Sequence, residues 1–155
     1  MPIRLATNAE AQAITDVINA AFRKAESFFV VRNRIDLESV RGLLGKGAFL
    51  VSDEDGTIAG CVYVEMRGER SYLGLLAVDP TAQKSGMGSK LMNAAEEHCR
   101  AAGSKFMDIQ IVNLRKELPE FYHRRGYVET GTAPFTASIE TTMPCHFVKM
   151  AKELE

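Results

Sequence analysis

No charge of one sign dominates this sequence: 19 basic residues face 20 acidic ones. Binding nucleic acid or an anionic membrane through bulk charge takes a basic excess, so neither partner is expected. Long hydrophobic runs are missing too. No apolar stretch approaches the ~18 residues of a bilayer span, so no membrane helix is expected. The first residues, Met-Pro-Ile-Arg-Leu-Ala-Thr, lack the apolar core of a signal peptide. Cysteine is scarce, and Cys61, Cys99 and Cys145 lie far apart. An odd, scattered set is no disulfide framework and reads as reduced thiols of a cytoplasmic protein. Cys145-His146 has no ligand spacing around it, so no metal is expected. Repeats, linkers and low-complexity tracts are also lacking. What remains is 155 residues, 46% hydrophobic and 25% charged, enough for an ordinary core. One domain over residues 1–155 is expected.

Periodicity orders the chain. Ile3 to Ala6 alternates like a short edge strand, and Thr7 or Asn8 caps the first helix. Ile14, Val17, Ile18, Ala21 and Phe22 form one helical stripe. From Glu26 to Arg34 the period fails, which predicts a loop between helices. A second helix comes after Asp36, with Gly45 and Gly47 stopping it. Strands are predicted over Ala48–Ser52, Thr57–Met66 and Ser71–Asp79, the first two joined by the Asp55-Gly56 turn. A helix is predicted from about Ser85 to Ala102, with Met87, Leu91, Ala94, Ala95 and His98 on one face. A strand over Phe106–Val112 leads into Asn113. Pro119 then suits a first helical turn, and Gly126 the position just past its end. Tyr127–Thr132 resumes as strand. Residues 132–144 are turn-rich and expected to be mobile, and Cys145–Lys152 closes the chain as a strand. An exposed final strand would permit a homodimer. The order predicts an α/β chain with a mixed sheet and helices on both faces.

The stretch from Leu75 to Leu91 organises the rest. An apolar strand ends at Asp79-Pro80, a polar loop with two glycines comes next, and then a helix begins. A helix start presents unpaired N–H groups and partial positive charge, which suits a phosphate. Glycine lets an anion approach the backbone closely. A P-loop is excluded, because the order here is Gly88-Ser89-Lys90 with no glycine five residues earlier. A dinucleotide fingerprint is excluded as well, because Leu91 stands where its third glycine would be.

The segment reads Gln-x-x-Gly-x-Gly from Gln83 to Gly88, after a Val-Asp-Pro strand end. About 35 residues on, Phe-Tyr-x-x-x-Gly-Tyr runs from Phe121 to Tyr127. Together with the order of elements, these motifs resemble the GNAT N-acetyltransferase superfamily over nearly the whole chain. Tyr72-Leu73-Gly74-Leu75-Leu76-Ala77-Val78 and the late Pro134-Phe135 resemble a bacterial-type branch of it. The resemblance implies a twisted sheet of about seven strands with four helices, and acetyl-coenzyme A (acetyl-CoA) as cosubstrate. It implies that backbone groups of Leu76, Ala77 and Val78 pair with the pantetheine arm like an added strand. Gln83, Lys84, Ser85, Gly86, Met87, Gly88 and Ser89 would form the pyrophosphate loop. Asn113 would hydrogen-bond the pantetheine, and Tyr122 would stand near the thioester sulfur.

The implied reaction is direct transfer of acetyl from the thioester to a primary amine. An amine with a lysine-like pKa of about 10.4 is neutral in only about one molecule in 10³ at pH 7. A base, a relay or a desolvating pocket is therefore needed. The oxyanion needs a donor, a backbone N–H near Val78, and Tyr122 can protonate the departing thiolate. Many relatives place a glutamate where this chain has Gly74. Glu65, Glu26 and a water chain are the substitutes. Phe28, Phe29, Arg32 and Arg34 sit where the acceptor site is expected, and the arginines suggest a substrate carrying a carboxylate or phosphate. On helical spacing alone, Phe121-Tyr122 reads as helix core, and it is the resemblance that gives Tyr122 a role. The missing glutamate leaves a non-catalytic acyl-CoA-binding module as the alternative.

Overall fold

A computed structural model describes residues 2–154; the side chains of Gln83, Lys84 and Ser85 lie outside what it describes. Among the described residues it holds four α-helices and one seven-stranded sheet. The helices are α1 (Ala11–Glu26), α2 (Leu37–Lys46), α3 (Met87–Ala101) and α4 (Leu118–Arg124). The strands are β1 (Ile3–Leu5), β2 (Ala48–Glu54), β3 (Thr57–Arg67), β4 (Arg70–Val78), β5 (Phe106–Val112), β6 (Val128–Pro134) and β7 (His146–Glu153). The sheet order is β1-β2-β3-β4-β5-β7-β6, and the β4–β5 pair is its parallel one.

The apolar periods decide which face each helix covers. Ile14, Val17, Ile18 and Ala21 of α1, with Val40 of α2, pack on Phe49, Val51, Cys61 and Tyr63 of one sheet face. Met87, Leu91, Met92, Ala95 and Cys99 of α3, with Tyr122 of α4, pack on Val62, Val64, Met107 and Ile109 of the other. Asp36 caps α2, its side chain accepting from the Ser39 N–H at 2.7 Å. Gly45 is carried inside α2, which ends at Gly47.

Four expectations are corrected. The loop does not begin at Glu26: α1 runs through that residue, because its carboxylate is buried against two arginines. The buried face of α3 turns toward Met92, Glu96 and Cys99 rather than His98, since Glu96 accepts from the Tyr127 hydroxyl and from Lys152, both at 2.9 Å. The final strand is not exposed at an edge. β7 lies between β5 and β6, and β6 is the edge. The late turn-rich segment is docked. Phe135 packs with Phe29 and Phe147, Val30 bridges Thr141, and Thr142 N–H donates to the Phe29 carbonyl at 2.8 Å.

Two backbone features in mid-sheet set the shape of the cleft beside it. Tyr63 pairs with Gly74 and Cys61 with Ala77, so β4 carries one residue more than β3 between these rungs. That bulge puts Leu75 at φ +52°, a conformation a branched side chain adopts only when its surroundings hold it there. Beside it, pairing of β4 with β5 stops at Tyr72 opposite Asp108. Beyond that rung the two strands diverge.

Candidate active site

The divergence of β4 and β5 opens a cleft of about 580 Å³. One wall is β4 from Tyr72 to Val78, and the other is Ile109 to Val112 of β5. On its β5-facing side, β4 from Leu73 to Ala77 is in register with no residue of β5 among the described pairings. An extended ligand carrying amides can therefore add there as a strand would.

The mouth of α3 closes one end. Asp79 turns the chain by accepting from the Thr81 N–H and hydroxyl at 2.9 and 2.6 Å, which holds its carboxyl below the ordinary range. A 3-10 turn over Pro80–Ser85 comes next, so the helix begins at Met87 rather than Ser85. Gly86 reaches it at φ +76°, in the left-handed region. Gly86, Gly88 and Ser89 line the cleft, and a Cβ at either glycine would meet nothing within 4 Å. Bare backbone and room at a helix N-terminus fit a diphosphate. The Met87 side chain turns away into the core. The expectations for Gln83, Lys84 and Ser85 as side chains lie outside the described residues.

α4 supplies the phenol. Tyr122 lines the cleft while its ring is buried edge-on between Phe121 and Tyr127. Burial pushes its hydroxyl up to about 12, with Arg115 pulling the other way. The hydroxyl is thus protonated across the ordinary pH range, as a proton donor must be. No hydrogen bond to it is found among the described residues.

The other predicted residues divide. Glu26 and Arg34 do reach the cleft. Glu26 Oε2 accepts from Arg115 Nη1 at 2.9 Å, and Oε1 stands 3.4 Å from Arg34 Nε. Arg34 is sandwiched between the Phe22 and Phe135 rings, at 5.4 and 5.3 Å. Burial lowers its pKa, with Glu26 opposing. Glu26 and Arg34 thus face each other as a buried ion pair, although neither Oε1 nor Nε has a hydrogen-bond partner among the described residues. Phe28 is 55% exposed and lines neither the cleft nor the groove that adjoins it. Asn113 does not line the cleft; its Oδ1 accepts from the His146 N–H at 2.8 Å, which ties β5 to β7.

Glu65 lies on the far side of the sheet opening, in an open groove of about 1170 Å³ between α1, α2 and the β6–β7 segment. Its oxygens accept from the Tyr63 hydroxyl and from Arg67 Nε, each at 2.6 Å, and these bonds lower its pKa. A carboxylate held so firmly ionised is a poor proton acceptor. Sequence reasoning missed Arg115 and Tyr72 on these walls. Arg115 comes just after a strand end and shows no period. Tyr72 stood within the quoted strand motif.

A split parallel pair, a glycine-flanked helix mouth and a buried phenol share one cleft, which suits an extended ligand with amides along its length and a phosphate at one end. Residues 10–154 match the acetyltransferase (GNAT) domain family, and the chain belongs to that family. It is an N-acetyltransferase with acetyl-CoA as cosubstrate. Its sequence is 28% identical over 140 residues to S-(2-succino)cysteine N-acetyltransferase of Bacillus subtilis, covering 83% of this chain and 84% of that one. A putative acetyltransferase of Salmonella typhimurium, solved with its cofactor acetyl-CoA, superposes with a TM-score of 0.75 at 24% identity, covering 100% and 94% of the two chains. The ribosomal-protein-S18-alanine N-acetyltransferase of Escherichia coli superposes at 0.78 with 14% identity, over 99% and 94%. Among the described residues, no helix is long and apolar enough to cross a membrane.

Proposed function

We propose that this chain, as one domain, moves acetyl from acetyl-CoA directly to the nitrogen of a primary amine in a single cleft. The reading rests on one observation. The β4 edge at Leu76 and Ala77, the bare helix mouth at Gly86 and Gly88, and Tyr122 all line the same cavity.

The α3 mouth takes the diphosphate, and the β4 edge beside Leu76 and Ala77 takes the pantetheine amides. The arm is thereby laid along the strand with its thioester toward Tyr122. The neutral amine enters from the groove and attacks the carbonyl carbon. Backbone N–H groups of β4 past the bulge meet the oxyanion. The C–S bond breaks, the sulfur keeps the electron pair and takes a proton from Tyr122, and the new amide nitrogen releases its surplus proton to solvent, from which the phenol is restored. The B. subtilis relative is an enzyme of nitrogen acetylation on a cysteine derivative, which agrees with an amine acceptor. The three free thiols agree with a reducing cytoplasm. A homodimer would pair through the exposed edge of β6.

Thermal shift with acetyl-CoA, followed by free-thiol release over an amine panel, tests this reading. Tyr122→Phe is expected to bind acetyl-CoA normally and to turn over about 10²-fold more slowly, the usual range for a lost acid. Unchanged kcat with chemistry rate-limiting would remove Tyr122 from the mechanism.

A further inference from the structure

The cleft and the groove meet at a wall formed by Arg34, Tyr72, Leu75, Gln110 and Phe147. A donor held in the cleft and an acceptor arriving from the groove must react at this wall. Arg34 lies beside Glu26 between two rings, and a guanidinium has no lone pair with which to take a proton. The Gln110 amide neither gains nor loses a proton in this range. Leu75 and Phe147 are apolar. Tyr72 alone of the set carries a neutral hydroxyl, and no hydrogen-bond partner for it is found among the described residues.

Its position is fixed from three sides. Arg67 lies over its ring at 4.8 Å, and the Tyr63 ring is 6.4 Å away. Its backbone closes the last rung with Asp108, and it faces Glu65 across the β3–β4 pair. The ring lies across Gly74: a Cβ there would stand 2.7 Å from the hydroxyl and 2.9 Å from Cε2. Real Cβ atoms do not approach so closely, so a side chain at residue 74 and Tyr72 in this pose exclude each other. Gly74 is thus the space the phenol uses.

We propose that the Tyr72 hydroxyl holds the acceptor amine at the cleft–groove junction and carries its surplus proton away. The assignment rests on the acetyl-transfer reading. The incoming nitrogen donates one hydrogen bond to Tyr72 Oη, which turns its lone pair toward the thioester carbon. As C–N forms and C–S breaks, the nitrogen's proton passes to Oη while the hydroxyl's own proton passes to water in the open groove. The thiolate takes its proton from Tyr122, which is refilled from solvent. A relay keeps the phenol neutral throughout, which suits a hydroxyl whose pKa burial raises, with Arg34 and Arg67 opposing and Glu65 adding to the rise.

The test compares wild type, Tyr72→Phe and Gly74→Ala. Each is given acetyl-CoA with single L-amino acids, S-carboxymethylcysteine, spermidine and an alanine-terminated peptide, and free thiol is read. Phenylalanine keeps the ring and its contact with Arg67. Tyr72→Phe is expected to lower kcat about 10²-fold and to raise KM for the amine, with the acetyl-CoA thermal shift unchanged. Gly74→Ala, which displaces the hydroxyl without deleting it, is expected to lower kcat in the same direction. Wild-type kcat and KM in Tyr72→Phe, or full activity in Gly74→Ala, overturns the assignment. Loss of the acetyl-CoA shift in Tyr72→Phe also overturns it, because the ring is then a wall of the donor site. The enzyme reading fails separately, in the wild type: a protein that acetylates no amine of the panel defeats both.

Discussion

Glu26 shows how much a single buried charge decides. Its side chain is 3% exposed and stands between Arg34 and Arg115, each 14% exposed. One carboxylate against two guanidiniums leaves a positive surplus, relieved at the rim by Glu117, which accepts from Arg115 Nε at 2.8 Å. Removing the central charge leaves both arginines buried and facing each other. Breaking such a pair costs about 3–5 kcal/mol. Glu26→Gln is therefore expected to lose stability on that scale in urea melts, with the largest change in hydrogen exchange along Glu26–Arg34. A loss under about 1 kcal/mol would mean that the arginines relax into solvent. None of this was legible in the sequence. Glu26 closes a run of helical period and opens an aperiodic one, so pattern assigns it to a loop. Its partner Arg115 lies 89 positions away. The place of Tyr122 on the cleft was legible because a motif marks it. The pose of Tyr72 was not, because it depends on a neighbour that has no side chain.

At the scale of elements, local period located the strands and helices to within a few residues. It could not give their order in the sheet. β7 inserts between β5 and β6 because β5 pairs with it along its whole length, from Phe106–Glu153 to Val112–Phe147. A pairing between distant segments leaves no trace in either period. The placing of α3 is another non-local effect. Gly60 of β3 looks like a weak point in a strand, since glycine packs nothing. In the fold, its missing Cβ lets α3 settle: an added Cβ would stand 2.8 Å from Met87 Sδ and 2.9 Å from Leu91 Cδ1. Met87 opens α3, so pressure at Gly60 reaches the helix mouth directly. Gly60→Ala is expected to cost about 1–3 kcal/mol by overpacking. It is also expected to weaken acetyl-CoA binding more than Gly42→Ala, where an added Cβ meets nothing within 4 Å. Isothermal titration of both variants checks this, and equal affinities would detach the helix mouth from the β3 contact.

For the whole molecule, the sheet works as two halves joined along a short seam. β1 to β4 form an antiparallel meander under α1 and α2, and β5, β7 and β6 form a second antiparallel set. The seam is three rungs, Arg70–Phe106 to Tyr72–Asp108, reinforced by the Arg70–Asp108 ion pair, whose Nε donates at 2.8 Å. Past the seam, no strand pairing among the described residues joins the halves, and a cosubstrate laid in the cleft would bridge them. Ligand binding should therefore stabilise the whole fold, by about 2.7 kcal/mol at a hundredfold excess over Kd. For a chain of this size that is a rise in Tm of about 5–10 °C. On the proposed reading the split strand holds amides and the helix mouth holds phosphate, so the two contribute separately. Acetyl-pantetheine, which keeps the arm and lacks the diphosphate, is expected to give a shift less than half as large at equal concentration. Salt should reduce the acetyl-CoA shift more than the acetyl-pantetheine shift, because only the former draws on the dipole of α3. Equal shifts for the two compounds would mean that the glycine-flanked mouth holds nothing, and that β4 and β5 alone carry the donor.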